Sequence, residues 1–522
     1  MIGYDYGTAD LDERTRHAGV FDLNESYLIV NSGPYAAPQR ALRASLFSGR
    51  TLQPSSAFHV STVAFTFVLL AVVVEFCISG NTLSVLGLSY SEPGGSPFVK
   101  FHPATYIAVI GAIVALAQGS AQSRGLGFLL SKAPTLLLFA ATTIFCTVFA
   151  TVNVGLTGAG VYIDTYLSAA ALAVAMVNSS AQQRRLLARL ILMLCIINVL
   201  ISLAEYIHQE HFIPLDVQTG DGKTVNDNLS DEFRPAGLYA HPLAGAMATS
   251  FAVFLTLSSR LRFVTAAACF GIFAVGLLGF GGRAALGVTI GLLALRVIIT
   301  LVRDGVRGRV NGRLLATVLL CVSILGPLTV FLLATTPIGE RIAARSYYDD
   351  SAEVRVDQWR VLDKLTPVQA MFGTPVADLQ QIYEQVGIPG VESPFILIFL
   401  NLGIIGSPIF AFGLIVYFLY LRRAYPDSGW LLLAAILILS SSNSIGVKSP
   451  DLFMMTACAV TMTGQAGVRS VRLRLQRPRL MLPSLLPKAL MPNPQGHRVV
   501  MSITRANRGL SRNVVQQPHR AD

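Results

Sequence analysis

From Leu187 to Ile207 the chain reads LARLILMLCIINVLISLAEYI. As an α-helix rising 1.5 Å per residue, this stretch is about 31 Å long, which matches the roughly 30 Å hydrocarbon core of a bilayer. Its charged residues, Arg189 and Glu205, lie near its two ends. Lipid offers no hydrogen-bond partner to a backbone amide, so a run of this kind can cross only as a helix whose backbone groups satisfy one another.

The same pattern recurs on both sides of it. Apolar runs fall at about 57–78, 103–119, 133–152, 161–178, 187–207, 237–258, 263–281, 284–302, 314–335, 393–420, 430–446 and 451–466. The expectation is an all-α, polytopic transmembrane helical bundle of about 12 spans, with a large external loop between spans 9 and 10. Composition agrees: 53% of the 522 residues are hydrophobic and 13% charged, against roughly 25% charged in an average soluble domain. Neither the spans nor the loops show an internal repeat.

An even number of spans places both termini on one side, and the basic residues say which. Short connections rich in Lys and Arg stay on the cytoplasmic face. The leader carries Arg14, Arg16, Arg40, Arg43 and Arg50; alternate connections carry Arg124/Lys132, Arg184/Arg185, Arg260/Arg262, Arg303/Arg307/Arg309/Arg313 and Arg422/Arg423. Both termini are therefore expected inside. Residues 1–56, polar and without a basic-then-apolar signal sequence, are read as a disordered cytoplasmic leader. Residues 467–522 are read as a basic cytoplasmic tail, with 11 Lys/Arg and the single acid Asp522.

The formal charge of +11 comes mostly from that tail. Basic residues beside a span read as attraction to anionic lipid, and no aromatic platform accompanies them, so nucleic acid is not an expected partner. The six cysteines, Cys77, Cys146, Cys195, Cys269, Cys321 and Cys458, are dispersed through apolar stretches. Neither a zinc site nor a disulfide framework is expected.

Two external connections are long, at about 208–236 and 336–392. Within the second, Val356, Trp359, Leu362 and Leu365 recur every three residues, predicting an amphipathic helix that lies on the membrane surface or on the bundle. Five polar groups cluster at this external side. FRPAGLYAHPLAGA, 233–246, places Arg234 before a span and His241-Pro242 one turn into it. GFGGRAALG, 279–287, places Arg283 in a glycine-rich turn between two spans. The large loop holds Arg341, Arg345, Arg355, Arg360 and Lys364 beside Glu340, Asp349, Asp350, Glu353 and Asp357. Glu392 stands where that loop enters the next span, and SSSNSIGVKSPDLF, 440–453, adds Asn443, Lys448 and Asp451.

Each group admits two readings. An arginine near a span end either binds an anion or lies along the interface with its head in water. His241 either lines a polar pocket or bonds a neighbouring helix. Glu392 either takes a proton or caps a helix N-terminus. Glu75 and Glu205, inside spans, require partners that spacing alone does not name.

The order RPxGLYxHPL, GGRAAL, a large loop with SxxxRxxQW, then ESPF followed by LGIIG, then SSNSIGxK, resembles the O-antigen polymerase and ligase-like superfamily, and within it the bacterial exopolysaccharide polymerases. The resemblance covers about 57–466. It implies an inner-membrane glycosyltransferase of the C type, metal-independent and inverting, that joins polyprenyl-diphosphate-linked oligosaccharide repeat units at the periplasmic face. No cofactor is implied. Its partners would be the lipid-linked oligosaccharide, the bilayer, and chain-length regulator and export proteins. Carried over by motif, Arg234, Arg283 and Arg355 would bind the diphosphate and Glu392 would be the catalytic base, with His241 the alternative. Ligases of the superfamily typically have histidine where this chain has Glu392, which favours a polymerase. A ligase and a transporter of lipid-linked sugars stand as the other readings. A transporter is expected to have symmetric halves with midplane charges, whereas these polar groups gather at one side.

Overall fold

A computed structural model describes residues 62–306 and 357–462, apart from 89, 91–95, 119–126, 128, 131–132, 215–216, 219–223, 226–232, 240, 260, 389, 392 and 443–445. The leader, the tail, the 314–335 interval, Arg355 and Glu392 lie outside the described residues. The described chain is helical, apart from one two-residue antiparallel pairing of Val217–Gln218 with Thr224–Val225.

The helices are α1 Thr62–Cys77, α2 Gly80–Val85, α3 Pro103–Ala117, α4 Pro134–Asn153, α5 156–176, α6 Ala181–His208, α7 Pro242–Ser258, α8 Phe263–Phe280 and α9 Arg283–Val306. After the undescribed interval come α10 Pro367–Phe372, α11 Val376–Val386, α12 Pro394–Ala424, α13 Gly429–Ser440 and α14 Asp451–Thr461. Six of the described helices are long and apolar enough to cross a membrane: α4, the 158–176 part of α5, α6, α8, α9 and α12. Apolar helices of 10–17 residues occupy five more of the expected intervals.

Side-chain size decides which helices are central. All eleven residues of α14 are buried, as is nearly all of α7 beyond its first turn. These two, with the Ser168–Met176 stretch of α5, are rich in Ala, Ser and Thr. Small side chains let backbones approach closely, which drives helix association where lipid offers no hydrophobic advantage. Their hydroxyls return to their own helix: Thr249 donates to the Gly245 carbonyl at 2.7 Å and Thr256 to Ala252 at 2.8 Å. By contrast α9 is mostly peripheral, with only Ala285, Thr289 and Leu292 buried, and it presents Ile290, Ile298 and Val302 outward. Exposed aliphatic side chains of this kind suit acyl chains as neighbours.

Two irregularities break the helices. In α5, Tyr162–Leu167 forms a π-helical turn, a widening that often marks a functional segment. In α12, Gly403 adopts φ +60°, ψ −172°. A Cβ there would stand 2.2 Å from the Met371 carbonyl oxygen, so only glycine allows α10 to dock on the break.

The 357–391 segment makes its own small core. Val361, Ile382, Ile388 and Val391 bury against Ile396 and Leu400 of α12, apart from the main core of the bundle. The expected amphipathic element exists here as a 3₁₀ helix, Gln358–Lys364. Its buried residues are Gln358 and Val361, so the face turned inward is not the expected one through Trp359. Leu362 and Leu365 pack on the small core, while Trp359 faces outward.

Candidate functional site

Antiparallel packing brings the polar residues to one end of the bundle. The C-terminal end of α1 meets the N-terminal end of α3, where Glu75 Oε2 lies 3.1 Å from His102 Nδ1. The C-terminal end of α6 meets the segment leading into α7, and the start of α14 meets the π turn of α5. At the opposite end Arg184 lies over the Tyr425 ring at 5.6 Å and Arg422 donates to the Pro426 carbonyl.

Glu205 and Asn198, both on α6 and both buried, build the segment that carries Arg234. Glu205 Oε1 accepts the Phe212 N–H at 3.0 Å, and Oε2 accepts those of Ala236 and Gly237 at 2.9 and 2.7 Å. Asn198 Oδ1 accepts the Leu238 N–H at 2.7 Å. Gly237 has φ +63°, and a Cβ on it would stand 2.4 Å from Asn198 Oδ1. The glycine of the RPAGLY stretch is thus required twice, by its backbone angle and by this close approach. His211 stacks on Phe233 with ring centroids 4.5 Å apart, and Phe76 braces Tyr239 at 5.6 Å. Arg234, half-buried, is held between these supports.

His241 caps α7: its Nδ1 accepts the Leu243 N–H at 3.1 Å, and Pro242 takes the first helical position. That geometry leaves the ring exposed. Arg283 is the first residue of α9 and is likewise exposed. Gly281 turns the chain with φ +67°, and Gly282 packs so tightly on α7 that a Cβ would stand 2.5 Å from Ala246 Cβ. The starts of α7 and α9 are therefore neighbours, both at the positive end of a helix dipole. A cationic residue opening a helix works against that dipole, while an anion between two such starts is favoured by both. Of the five residues carried over by motif, His241 caps α7 and Arg283 opens the α9 start that packs on it, while Arg234 lies on the segment leading into α7. Arg355 and Glu392 lie outside the described residues, but Gln358, fully buried, accepts the Ser393 N–H at 2.9 Å. The QW motif thus grips the chain immediately after Glu392.

A second cluster adjoins the first. Asp164, in the π turn, accepts from Tyr90 Oη at 2.9 Å, from the His102 backbone N–H at 2.9 Å and from Thr105 Oγ1 at 2.8 Å. Lys448 passes over Gly160, lies 4.2 Å from the Tyr90 ring centre, and donates to the carbonyls of Tyr90 and Lys100 at 3.0 and 2.8 Å. Thr165 ties the same loop down, accepting the Ser449 N–H and donating to the Val447 carbonyl. Burial lowers the Lys448 pKa and Asp164 opposes that effect. Burial also lowers the His102 pKa, but Glu75, its hydrogen bond and the Ile78 carbonyl outweigh it and push the value up to about 9. In the geometry observed, Nδ1 accepts the Ala104 N–H at 3.2 Å and Nε2–H donates to the Ile78 carbonyl at 2.7 Å; a proton taken up at Nδ1 would face Glu75 Oε2, 3.1 Å away.

Glu75 and Glu205 thereby gain the partners that spacing did not name. Asp164 and Asn198 were not singled out from the sequence, although a carboxylate inside an apolar run is itself a signal. Among the described residues no group of three or more His, Cys, Asp or Glu side chains is arranged to hold a metal ion. No protein-family model matches the chain, and no curated protein matches it at a significant level.

Proposed function

We propose that the chain is a polysaccharide polymerase that extends a glycan from polyprenyl-diphosphate-linked repeat units at the periplasmic face of the bacterial inner membrane. About 12 spans, cytoplasmic termini and a periplasmic loop between spans 9 and 10 belong to the same reading. One observation carries it: the starts of α7 and α9 adjoin, with Arg283 opening one and Arg234 tethered just ahead of the other. Two helix N-termini and two guanidinium groups suit a diphosphate.

The chemistry balances without a redox partner. An acceptor sugar hydroxyl attacks the anomeric carbon of the donor, the bond to the diphosphate oxygen breaks, and the hydroxyl proton passes to the Glu392 carboxylate, with His241 the alternative acceptor. The charge growing on the diphosphate is held by Arg234, Arg283 and Arg355. Single displacement inverts the anomeric centre. The gathering of polar groups at one end, rather than at the midplane, favours an enzyme over a transporter.

Purified protein in liposomes, given a defined polyprenyl-diphosphate oligosaccharide with and without chelator, should form ladders of increasing length. Arg283→Ala and Glu392→Ala should each lower the rate by about 100-fold or more at unchanged protein level. Near-normal ladders from both variants would remove the assignment. Cells lacking the protein should accumulate single repeat units; long unattached chains would instead point to a ligase.

A further inference from the structure

We infer that α10 is a membrane-interface foot, its Val368, Met371 and Phe372 side chains seated among the acyl chains just below the headgroups of the adjoining leaflet. None of its six residues is buried by protein, and Val368, Met371 and Phe372 are 67%, 46% and 37% exposed. Apolar side chains so placed gain by leaving water for an apolar neighbour.

The helix it docks on fixes its depth. α12 runs 31 residues and breaks at Gly403, where the Met371 carbonyl fills the space a Cβ would take. The Thr374 N–H donates to the Leu400 carbonyl at 2.7 Å, closing the contact from the other side. From 404 to 424 the helix is about 31 Å long, the thickness of a hydrocarbon core. The preceding 394–403 stretch, about 15 Å long, buries Ile396 and Leu400 in the small core of the 357–391 segment. The break thus marks the level at which α12 leaves lipid, and α10 lies at that level.

The apolar surface is continuous below it. Phe372 lies 6.5 Å from the Phe149 ring of α4, and Phe149 lies 5.8 Å from Phe145, an outward-facing residue of that long apolar helix. Lys364, exposed just before α10, is placed to reach headgroup phosphates. Trp359 belongs to a different level. Its neighbour Gln358 holds the Ser393 N–H at the far end of the 394–403 stretch, so Trp359 stands clear of the acyl chains.

The chain has two tryptophans, Trp359 and Trp430, which makes the inference testable by fluorescence in liposomes containing brominated phosphatidylcholine. In a Trp359→Phe/Trp430→Phe background, Phe372→Trp or, independently, Val368→Trp should lose most of its emission to lipids brominated high in the acyl chain. Lipids brominated near the bilayer centre should quench less, and aqueous acrylamide little. Trp430→Phe alone, which reports Trp359, should show the reverse preference, for acrylamide. Full acrylamide quenching at positions 368 and 372 would overturn the inference by placing α10 in water. Protection there from both quenchers would overturn it by placing α10 under a second protein surface. Neither outcome depends on glycosyl transfer.

Discussion

Replacing Glu205 by glutamine tests the scaffold of the candidate site most directly. The side chain is fully buried and serves three backbone N–H donors, two of them through Oε2. Glutamine keeps one acceptor oxygen. In its better orientation that oxygen retains Ala236 and Gly237, and the new NH₂ faces the Phe212 N–H, which loses its partner. Leaving one such donor unsatisfied costs about 1–3 kcal/mol, and hydrogen bonds to a charged acceptor are each worth about 1.5–3 kcal/mol. A local loss of about 1–3 kcal/mol corresponds to opening about 5- to 150-fold more often, at 1.4 kcal/mol per tenfold. Hydrogen-exchange mass spectrometry reads this amide by amide: in wild type the amides of 212 and 236–238 should exchange slowly. In Glu205→Gln the peptide carrying 212 should exchange faster by that factor, with α14 unchanged. Unaltered protection of 212 would refute the tether, whatever the protein's activity.

Two further outcomes follow from the neighbouring cluster. Asp164→Ala removes a buried carboxylate that accepts three hydrogen bonds and offsets Lys448. Uncompensating a buried group of this kind costs about 3–5 kcal/mol, so the thermal midpoint in detergent should fall clearly below that of wild type, and an unchanged midpoint would contradict the network. His102 has its folded pKa raised from 6.5 to about 9 by Glu75 against the opposing effect of burial. Its contribution to stability is therefore complete below about pH 6.5 and is lost as pH rises through about 9. Denaturation between pH 6 and 10 should show wild type losing stability relative to His102→Gln across that window; parallel curves would argue against the ion pair.

Much of the bundle is legible in the sequence because lipid imposes a local rule. A run such as 187–207 must be helical to satisfy its own amides, and no distant contact is needed to know it. Where a helix ranks between centre and periphery is also partly local, since the Ala, Ser and Thr of α7 and α14 announce close packing. The positions of Arg234, His241 and Arg283 beside span ends are likewise readable from the order of residues.

Their neighbourhood is not. That Arg283 adjoins the start of α7 depends on Gly282 meeting Ala246, a contact between separate helices. That Arg234 is fixed depends on Glu205 and Asn198 reaching amides between 31 and 40 residues away in the chain. That Gly403 is a break depends on α10, which fills it from an earlier loop. Hydropathy and spacing are properties of a segment and its solvent, so the sequence by itself determined the helices and the end at which charge accumulates. Pairing a buried carboxylate with its donors is a property of two segments at once, and only the tertiary structure decided it.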